Sequence, residues 1–213
     1  MSIHTLWPTN ILIKEDTPEF TDQFVKEIIQ IGDEYEANDP LNHLPYYKRK
    51  GPGYVEYNLL NDPRSSCQTY KRILKEQLIE LCKAEGFKNP EEIEFDATTT
   101  IRKFANLDYA KPHNHRDSDY VAALWLSMEV TDTGKDLYQK AAGNQLHIMD
   151  PVAYRNRLLS NKLRYVIRPK PKMHVIHPAG LIHSSEVNLS NQDTVVLVTN
   201  IRIVDSFRNH SIL

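Results

Sequence analysis

Residues 111–119 decide the fold, and they read Lys-Pro-His-Asn-His-Arg-Asp-Ser-Asp. Two imidazoles and two carboxylates fall within this stretch, and an apolar run at 120–126 follows it directly. Such a run is typical of a buried strand that leaves a polar turn. Because residues i and i+2 of a strand share a face, His115 and Asp117 at the strand end are expected to point the same way.

This pair supplies two ligands of a metal site built from two histidines and one carboxylate, which leaves positions open on a bound iron ion. A distant strand must bring the third ligand. Residues 178–187 contain a tight Pro-Ala-Gly turn and then a short strand that carries His183, 68 residues after His115. That interval holds about four or five short strands of a jelly roll. The alternative is a Pro-rich surface turn in which His and Asp occur by chance.

The part of the chain before residue 90 carries helical patterns. Residues 3–14 alternate well enough for an opening strand. A helix is predicted to follow, with Thr17 as its N-cap and Pro18 at its first position. A second helix is predicted at 65–84, and Gly86 is expected to end it.

After residue 90 the pattern changes to short β-rich runs separated by turn residues, with one weaker helical stretch at 152–159. Helices followed by short strands predict an α+β fold in which the helices buttress a β-sandwich or barrel. The chain is expected to be one domain, 1–213, with residues 1–90 as helical support and 91–213 as the β core. The predicted strands lie at 98–104, 120–130, 145–149, 163–167, 173–176 and 194–204.

The charge balance argues against a nucleic-acid partner. There are 26 basic and 28 acidic residues, so no overall basic field exists. A local patch at 46–50, Tyr-Tyr-Lys-Arg-Lys, is expected to be a solvated loop. It lies in the irregular segment 38–63, which is long enough to act as a lid or substrate platform.

The cysteines and the apolar content suggest a cytoplasmic protein. Cys67 and Cys82 fall on the same predicted helix, roughly 22 Å apart, which is too far for a disulfide, so reduced thiols are expected. The N-terminus lacks the pattern of a signal peptide, and no apolar run approaches the ~20 residues of a membrane span. The sequence contains no Gly-x-Ser-x-Gly motif, so it gives no support to a hydrolase.

From residue 101 to residue 200 the order of these pieces resembles the iron(II)/2-oxoglutarate-dependent oxygenases. The resemblance is greatest to a group of small proteins of about this length, many of them from marine phages and bacteria. Four segments carry it: Leu-Trp-Pro-Thr at 6–9, the histidine turn at 113–116, the strand at 120–125, and His-Ser-Ser-Glu-Val-Asn at 183–188.

The resemblance implies a double-stranded β-helix (a cupin-like jelly roll) that uses Fe(II), 2-oxoglutarate and O₂, most simply as a hydroxylase. Its implied ligands are His115, Asp117 and His183, because a carboxylate lowers the net positive charge of the iron site and is usual in these enzymes. The turn of the related proteins has two histidines, so His113, His115 and His183 form the alternative set. In the first set His113 would face the substrate or support a ligand.

One departure from the family pattern affects the binding of 2-oxoglutarate. The relatives place an arginine at the start of the strand after the distal histidine, where it pairs with the far carboxylate of 2-oxoglutarate. Here Asp193 and Thr194 occupy that position, and Arg202 lies eight residues further on, roughly 26 Å away along the strand. The anchor is therefore predicted on another strand, with three candidates: Arg102, Lys103 and Arg168.

Two rivals follow from this gap: an iron oxygenase of the same fold that does without 2-oxoglutarate, and a non-catalytic metal-binding jelly roll. Among the other candidates, His174 and His177 are expected to be hydrogen-bonded structural residues, with a place facing the barrel interior as the second interpretation for one of them. Trp125 is expected to pack in the core, with a place in a pocket wall as its second interpretation.

Overall fold

The structure is a computed structural model that describes residues 9–38, 58–129, 144–149 and 164–204. The basic run at 46–50, the helical stretch at 152–159, most of the loop 38–63 and residues 6–8 lie outside these ranges. The described helices are α1 (Asp22–Ala37) and α2 (Ser65–Ala84), with short 3-10 turns at Leu59–Asn61 and Pro90–Glu92. The described strands are β1 (Leu12–Lys14), β2 (Phe95–Phe104), β3 (Tyr120–Ser127), β4 (Leu146–Met149), β5 (Arg164–Ile167), β6 (His174–Pro178), β7 (His183–Ser185) and β8 (Thr194–Ile203).

The first helix begins later than the sequence predicts. Its N-cap is Thr21, whose hydroxyl accepts a hydrogen bond from the backbone N–H of Phe24 (3.1 Å). Thr17 instead opens a turn in which its carbonyl accepts from the N–H of Phe20 (2.9 Å). Pro18 fits the second position of such a turn as well as the first position of a helix, which explains the error.

The second helix is confirmed over its predicted range. It spans Ser65–Ala84, and Gly86 follows its C-cap with a φ of 84°, a left-handed conformation that glycine adopts without steric cost. Cys67 and Cys82 are both buried and unpaired on this helix, as expected. Burial raises the thiol pKa of Cys67 to about 11 and that of Cys82 to about 12, so neither is activated as a nucleophile.

The described strands form two antiparallel sheets. The larger sheet has the order β1-β6-β3-β8-β2, and the smaller has the order β5-β4-β7. Together with the two helices this confirms an α+β, jelly-roll-like fold, while a closed double-stranded β-helix stays a prediction. Neither described helix is long and apolar enough to cross a membrane.

Strand β3 divides the core because both of its faces are buried. Tyr120, Ala122 and Leu124 pack with the helices, whereas Ala123 and Trp125 pack toward the smaller sheet. A strand covered on both faces reads as a continuous apolar run rather than an alternating one. The face of β3 that carries Ala123 and Trp125 therefore borders the space between the two sheets, which can hold a binding site.

His174 on β6 faces the helical side. Its Nδ1–H donates to Oε1 of Gln77 (2.6 Å), and its ring packs between Phe20 and Tyr70 at centroid distances of 5.9 and 5.8 Å. Burial lowers its pKa to about 3. The structural role expected for His174 is confirmed.

Asn188 joins two loops at one end of the sheets, where it is completely buried. Its side-chain amide donates to the carbonyls of Phe104 (2.8 Å) and Gln192 (2.9 Å). Its side-chain oxygen accepts from the amide of Asn144 (3.1 Å) and from the N–H and hydroxyl of Ser190 (3.0 and 2.7 Å). Both N–H donors of the Asn188 amide are therefore hydrogen-bonded.

We expect His174 to make the fold acid-sensitive. Because its folded pKa lies near 3 and an unfolded histidine titrates near 6.5, its contribution is constant above pH 6.5. Below pH 6.5 the unfolded state binds the extra proton, so the free energy of unfolding falls by roughly 1.4 kcal/mol per pH unit. His174→Asn keeps a donor toward Gln77 but cannot titrate. Denaturant unfolding of the metal-free proteins between pH 4 and 8 should give curves that are parallel above about pH 6.5 and shallower for the variant below it. Equal slopes throughout would contradict this assignment.

We expect Asn188→Asp to destabilise the fold by roughly 2–4 kcal/mol, because the isosteric change removes two donors and turns a buried carboxylate toward two carbonyls. Asn106→Asp is the matched control. The amide of Asn106 also donates to a carbonyl, that of Ser190 (2.9 Å), but the residue is exposed. Its variant should lose less than about 1 kcal/mol in the same chemical-denaturation experiment. Similar losses in both variants would rule out burial of Asn188 as the cause.

Candidate metal centre

Three imidazoles converge at one end of the space between the sheets. One ring nitrogen from each of His113, His115 and His183 lies within 4.8 Å of the other two. Two nitrogens on one metal ion lie no more than ~4.2 Å apart at bond lengths of ~2.1 Å, so small side-chain rotations complete a site. Within the described ranges no other group of three metal-binding side chains comes so close.

Backbone pairing sets the positions of two of these rings. The N–H of His113 donates to the carbonyl of His183 (3.0 Å), and the N–H of His183 donates to the carbonyl of His113 (2.9 Å). Side chains at such a directly paired position of an antiparallel ladder lie on the same face. The N–H of His115 donates to the carbonyl of Ala179 (3.0 Å), which holds the third residue against the turn that precedes β7.

Hydrogen bonds to the rings fix which nitrogen is available. Nδ1 of His113 bonds to the carbonyl of Lys111 (2.6 Å), and Nδ1 of His183 bonds to the carbonyl of Leu181 (3.1 Å). A carbonyl only accepts, so Nδ1 carries the hydrogen in both rings and the lone pair of Nε2 is left for a metal. Nε2 of His115 is buried without a hydrogen-bond partner. A metal ion would satisfy this atom, so the donor set fits one.

Burial keeps the inner two histidines neutral. It lowers the pKa of His115 to about 4, helped by the charge of His113, and that of His183 to about 3, helped by the charge of His177. Neutral imidazole is the form that binds a metal. His113 is exposed, His115 half-buried and His183 buried, so the cluster runs from the surface inward.

Asp117 lies on an exposed turn and is not part of the converging group. The N–H of Ser118 donates to the carbonyl of His115 (3.1 Å), which closes a turn directly after His115. The rule that residues i and i+2 share a face applies only to extended backbone, and here it relates His113 to His115. The structure therefore brings together the alternative ligand set.

A cavity of about 460 Å³ opens beside the three histidines, between the two sheets. Its walls are largely apolar, and its charged residues are Arg102 and Lys111. No acidic side chain of the described residues lines it. The apolar wall consists of Phe104, Val121, Ala123, Trp125, Leu146, Val196 and Val198.

The three predicted anchors have different surroundings. Arg102 lines the cavity. Lys103 points to the opposite face of β2, where its ammonium contacts the carboxylate of Asp33 (2.6 Å). Arg168 is exposed after β5 and is not among the cavity residues. Thr194 lines the cavity and is 1% exposed, and its buried hydroxyl has no hydrogen-bond partner.

His177 also lines the cavity, so the second interpretation, that one histidine of this strand faces the interior, applies to it. Its ring meets that of His183 edge-on at a centroid distance of 4.7 Å. The sequence feature that indicates this is the spacing of three residues between His174 and His177. Residues three apart on a strand face opposite sides, so only one of the two can face the helices. Trp125 is buried and lines the same cavity, so both of its interpretations apply.

Comparison with known proteins shows the fold. No protein-family model and no curated protein matches the sequence. A prolyl-4-hydroxylase from Pseudomonas putida aligns over 91% of this chain and 88% of its own, with a TM-score of 0.55 and 12% identity. A nickel complex of the non-heme monooxygenase ThoJ aligns over 86% and 70%, with a TM-score of 0.52 and 9% identity. The chain therefore shares the fold of these two enzymes.

We expect His113→Ala, His115→Ala and His183→Ala each to weaken metal binding by more than the ~10–100-fold that changing an outer partner typically costs. Asp117→Ala should leave affinity and stoichiometry unchanged, because this carboxylate lies outside the converging group. Titration of Co(II) into each anaerobic protein, followed by metal analysis, measures both quantities. Loss of metal in Asp117→Ala with retention in His113→Ala would instead establish His115, Asp117 and His183 as the ligands.

Proposed function

We propose that this protein is an Fe(II)-dependent oxygenase that takes 2-oxoglutarate and O₂ as cosubstrates, with iron held by His113, His115 and His183. The observation that carries the proposal is the convergence of three imidazoles at a cavity that also contains Arg102. The shared fold with a prolyl-4-hydroxylase and a non-heme monooxygenase supports it. Hydroxylation as the reaction type, closure of the sheets into a double-stranded β-helix, and kinship with the group of small phage and bacterial proteins belong to this proposal.

The charges of the site fit an anionic cosubstrate. Three neutral imidazoles would leave both positive charges of Fe(II) uncompensated by the protein ligands. A buried charge without a counter-ion is costly, so the occupied cavity needs anionic groups. 2-Oxoglutarate carries two carboxylates, one at each end of a five-carbon chain. When bound, iron would supply the redox chemistry that couples decarboxylation of 2-oxoglutarate to oxidation of the substrate.

The register of the larger sheet supports Arg102 as the anchor of the far carboxylate. Arg102 pairs with Val196 on β8. At the metal end of the sheet, Asn200 of β8 pairs with Val121, which in turn pairs with His177, so these three residues form one row across the strands. Four residues of strand separate these rows, ~13 Å at ~3.3 Å per residue. A five-carbon diacid and an extended arginine side chain together span such a gap.

Thr194 completes this anchor. It lies opposite Phe104, which places its hydroxyl diagonally across from Arg102, within reach of a long side chain. Its buried hydroxyl has no partner of its own. A carboxylate held by Arg102 would accept a hydrogen bond from it, which satisfies both groups.

The remaining walls hold the reactants and exclude water. Val121, Ala123 and Val198 form an apolar strip between the metal end and the anchor. In such surroundings the ionic contacts of a ligand are stronger than in water, and reactive species are protected from side reactions. The exposure of His113 marks the side on which the cavity opens.

A second function, an oxygenase of the same fold that does without 2-oxoglutarate, is favoured by one observation. The three side chains that converge include no carboxylate, whereas 2-oxoglutarate enzymes usually have one. In that case the substrate itself would bring the anionic group, and Arg102 would bind it. The binding of 2-oxoglutarate to the metal-loaded protein separates the two functions.

We expect Arg102→Ala to weaken 2-oxoglutarate binding roughly 30-fold or more, about 2 kcal/mol, because the far carboxylate loses the cation proposed to hold it. Thr194→Val should cost roughly fivefold, the value of one hydrogen bond. Lys103→Ala and Arg168→Ala are the matched controls, since both remove a cation that lies outside the cavity.

Isothermal titration of 2-oxoglutarate into each anaerobic, Co(II)-loaded protein gives the affinities. Unchanged binding by Arg102→Ala would eliminate this anchor. Absence of binding by the wild-type protein, with metal bound, would favour the oxygenase that does without 2-oxoglutarate.

A further inference from the structure

His177 is a polar residue on an otherwise apolar wall. On the cavity face its neighbours are Val175 on its own strand and Val121 on β3, with which it pairs. Only 1% of its surface is exposed. Burying an imidazole on an apolar wall is unfavourable unless its nitrogens find partners, so the position calls for an explanation.

One of the two nitrogens is satisfied by the backbone. Nδ1 of His177 lies 2.9 Å from the carbonyl of Pro178, and because a carbonyl only accepts, Nδ1 carries the hydrogen. Nε2 is then the bare nitrogen with its lone pair. In the part of the chain that the structure describes, no hydrogen bond to this atom is formed.

His177 is next to the metal ligands without being one of them. Its ring meets that of His183 edge-on at 4.7 Å, yet its nitrogens do not join the group whose atoms lie within 4.8 Å of one another. It therefore lines the metal end of the cavity beside these ligands, with Nε2 as its remaining hydrogen-bond acceptor.

An acceptor discriminates between the two ligands that the proposed function requires. Ionised 2-oxoglutarate has only acceptor atoms, so it offers nothing to the lone pair of Nε2. A donor to this lone pair therefore comes either from water in the cavity or from the second ligand, the one that is oxidised, which displaces that water when it binds. We propose that His177 is a substrate-binding residue that accepts a hydrogen bond from an N–H or O–H group of the substrate, and that the substrate class is therefore one with such a donor close to the reacting carbon; this rests on the proposed function.

Matched pairs of small probes test this inference, because the members of each pair differ in the donor alone. Pyrrole-2-carboxylate carries an N–H where furan-2-carboxylate has an oxygen, and 2-pyrrolidinone carries one where γ-butyrolactone has an oxygen. Binding is measured by ligand-observed NMR to zinc-loaded protein saturated with 2-oxoglutarate. The wild-type protein should prefer the donor member of at least one pair by roughly fivefold, the factor that one hydrogen bond supports.

Two variants assign the preference to His177. His177→Leu removes the acceptor and should abolish the preference, while His177→Gln returns an acceptor and should restore part of it. Both variants should keep stoichiometric zinc and bind 2-oxoglutarate normally. A thermal melt verifies that each is folded. In the wild-type protein, the ¹⁵N shift of Nε2 in His177 should move on addition of the donor member and not of its isostere, which tests the contact without any mutation.

The outcomes separate this inference from the proposed function. A wild-type protein that binds zinc and 2-oxoglutarate but shows no donor preference, including one that binds neither member of any pair, overturns the role of His177 alone. A preference that survives in His177→Leu also overturns it, as does loss of zinc in that variant, which would make His177 a ligand. Failure of the wild-type protein to bind 2-oxoglutarate instead counts against the proposed function.

Discussion

The reciprocal backbone pairing of His113 with His183 is the interaction on which the candidate site depends. It joins a turn and a strand that are 70 residues apart in the chain and places their side chains on one face. Each ring is then tied to the carbonyl two residues before it, that of Lys111 or Leu181. The two imidazoles are thus oriented by the backbone, and no other side chain has to be held in place to present them. Such preorganisation is what a metal site needs from its supporting structure.

The larger sheet gives the two histidines of β6 different surroundings. On β6, His174 faces the helices and bonds to Gln77, while His177 faces the cavity beside His183. The two residues have the same chemistry, and only the alternation of the strand gives them different surroundings. This alternation holds because helices cover one face of the larger sheet and the smaller sheet covers the other.

The sequence was sufficient for much of the fold, because long elements have redundant signals. Helix α2 was predicted over its full length from its apolar face and its terminal glycine, and β3 from its apolar run. The start of α1 was wrong because Thr17 and Thr21 both precede plausible first turns, and only the packed structure chooses between them. Local signals of this kind are decided by tertiary contacts.

The site was harder to predict, because it depends on which residues of a few short extended segments point to the same side. His115 and His183 were identified, but whether His113 or Asp117 joins them depends on where the extended backbone ends, and it ends at a turn after His115. Arg102 and Lys103 are adjacent in sequence, and a shift of one residue in the pairing of β2 with β8 would exchange their places. The observed register pairs Arg102 with Val196, a cavity residue, and leaves Lys103 with Asp33.

The same register determines how the proposed anchor can hold a carboxylate without an arginine at residue 194. The attraction between a carboxylate in the cavity and a guanidinium group depends on the distance between them, whichever strand carries the arginine. Arg102 and Thr194 lie on neighbouring strands, diagonal to each other, so the charge of one and the hydroxyl of the other can serve a single carboxylate. An arginine at both positions would instead bring two cations together in a cavity whose described lining includes no acidic side chain. In the proposed function a small hydroxyl residue at 194 therefore suits an anchor on β2, because one carboxylate can bond to both side chains.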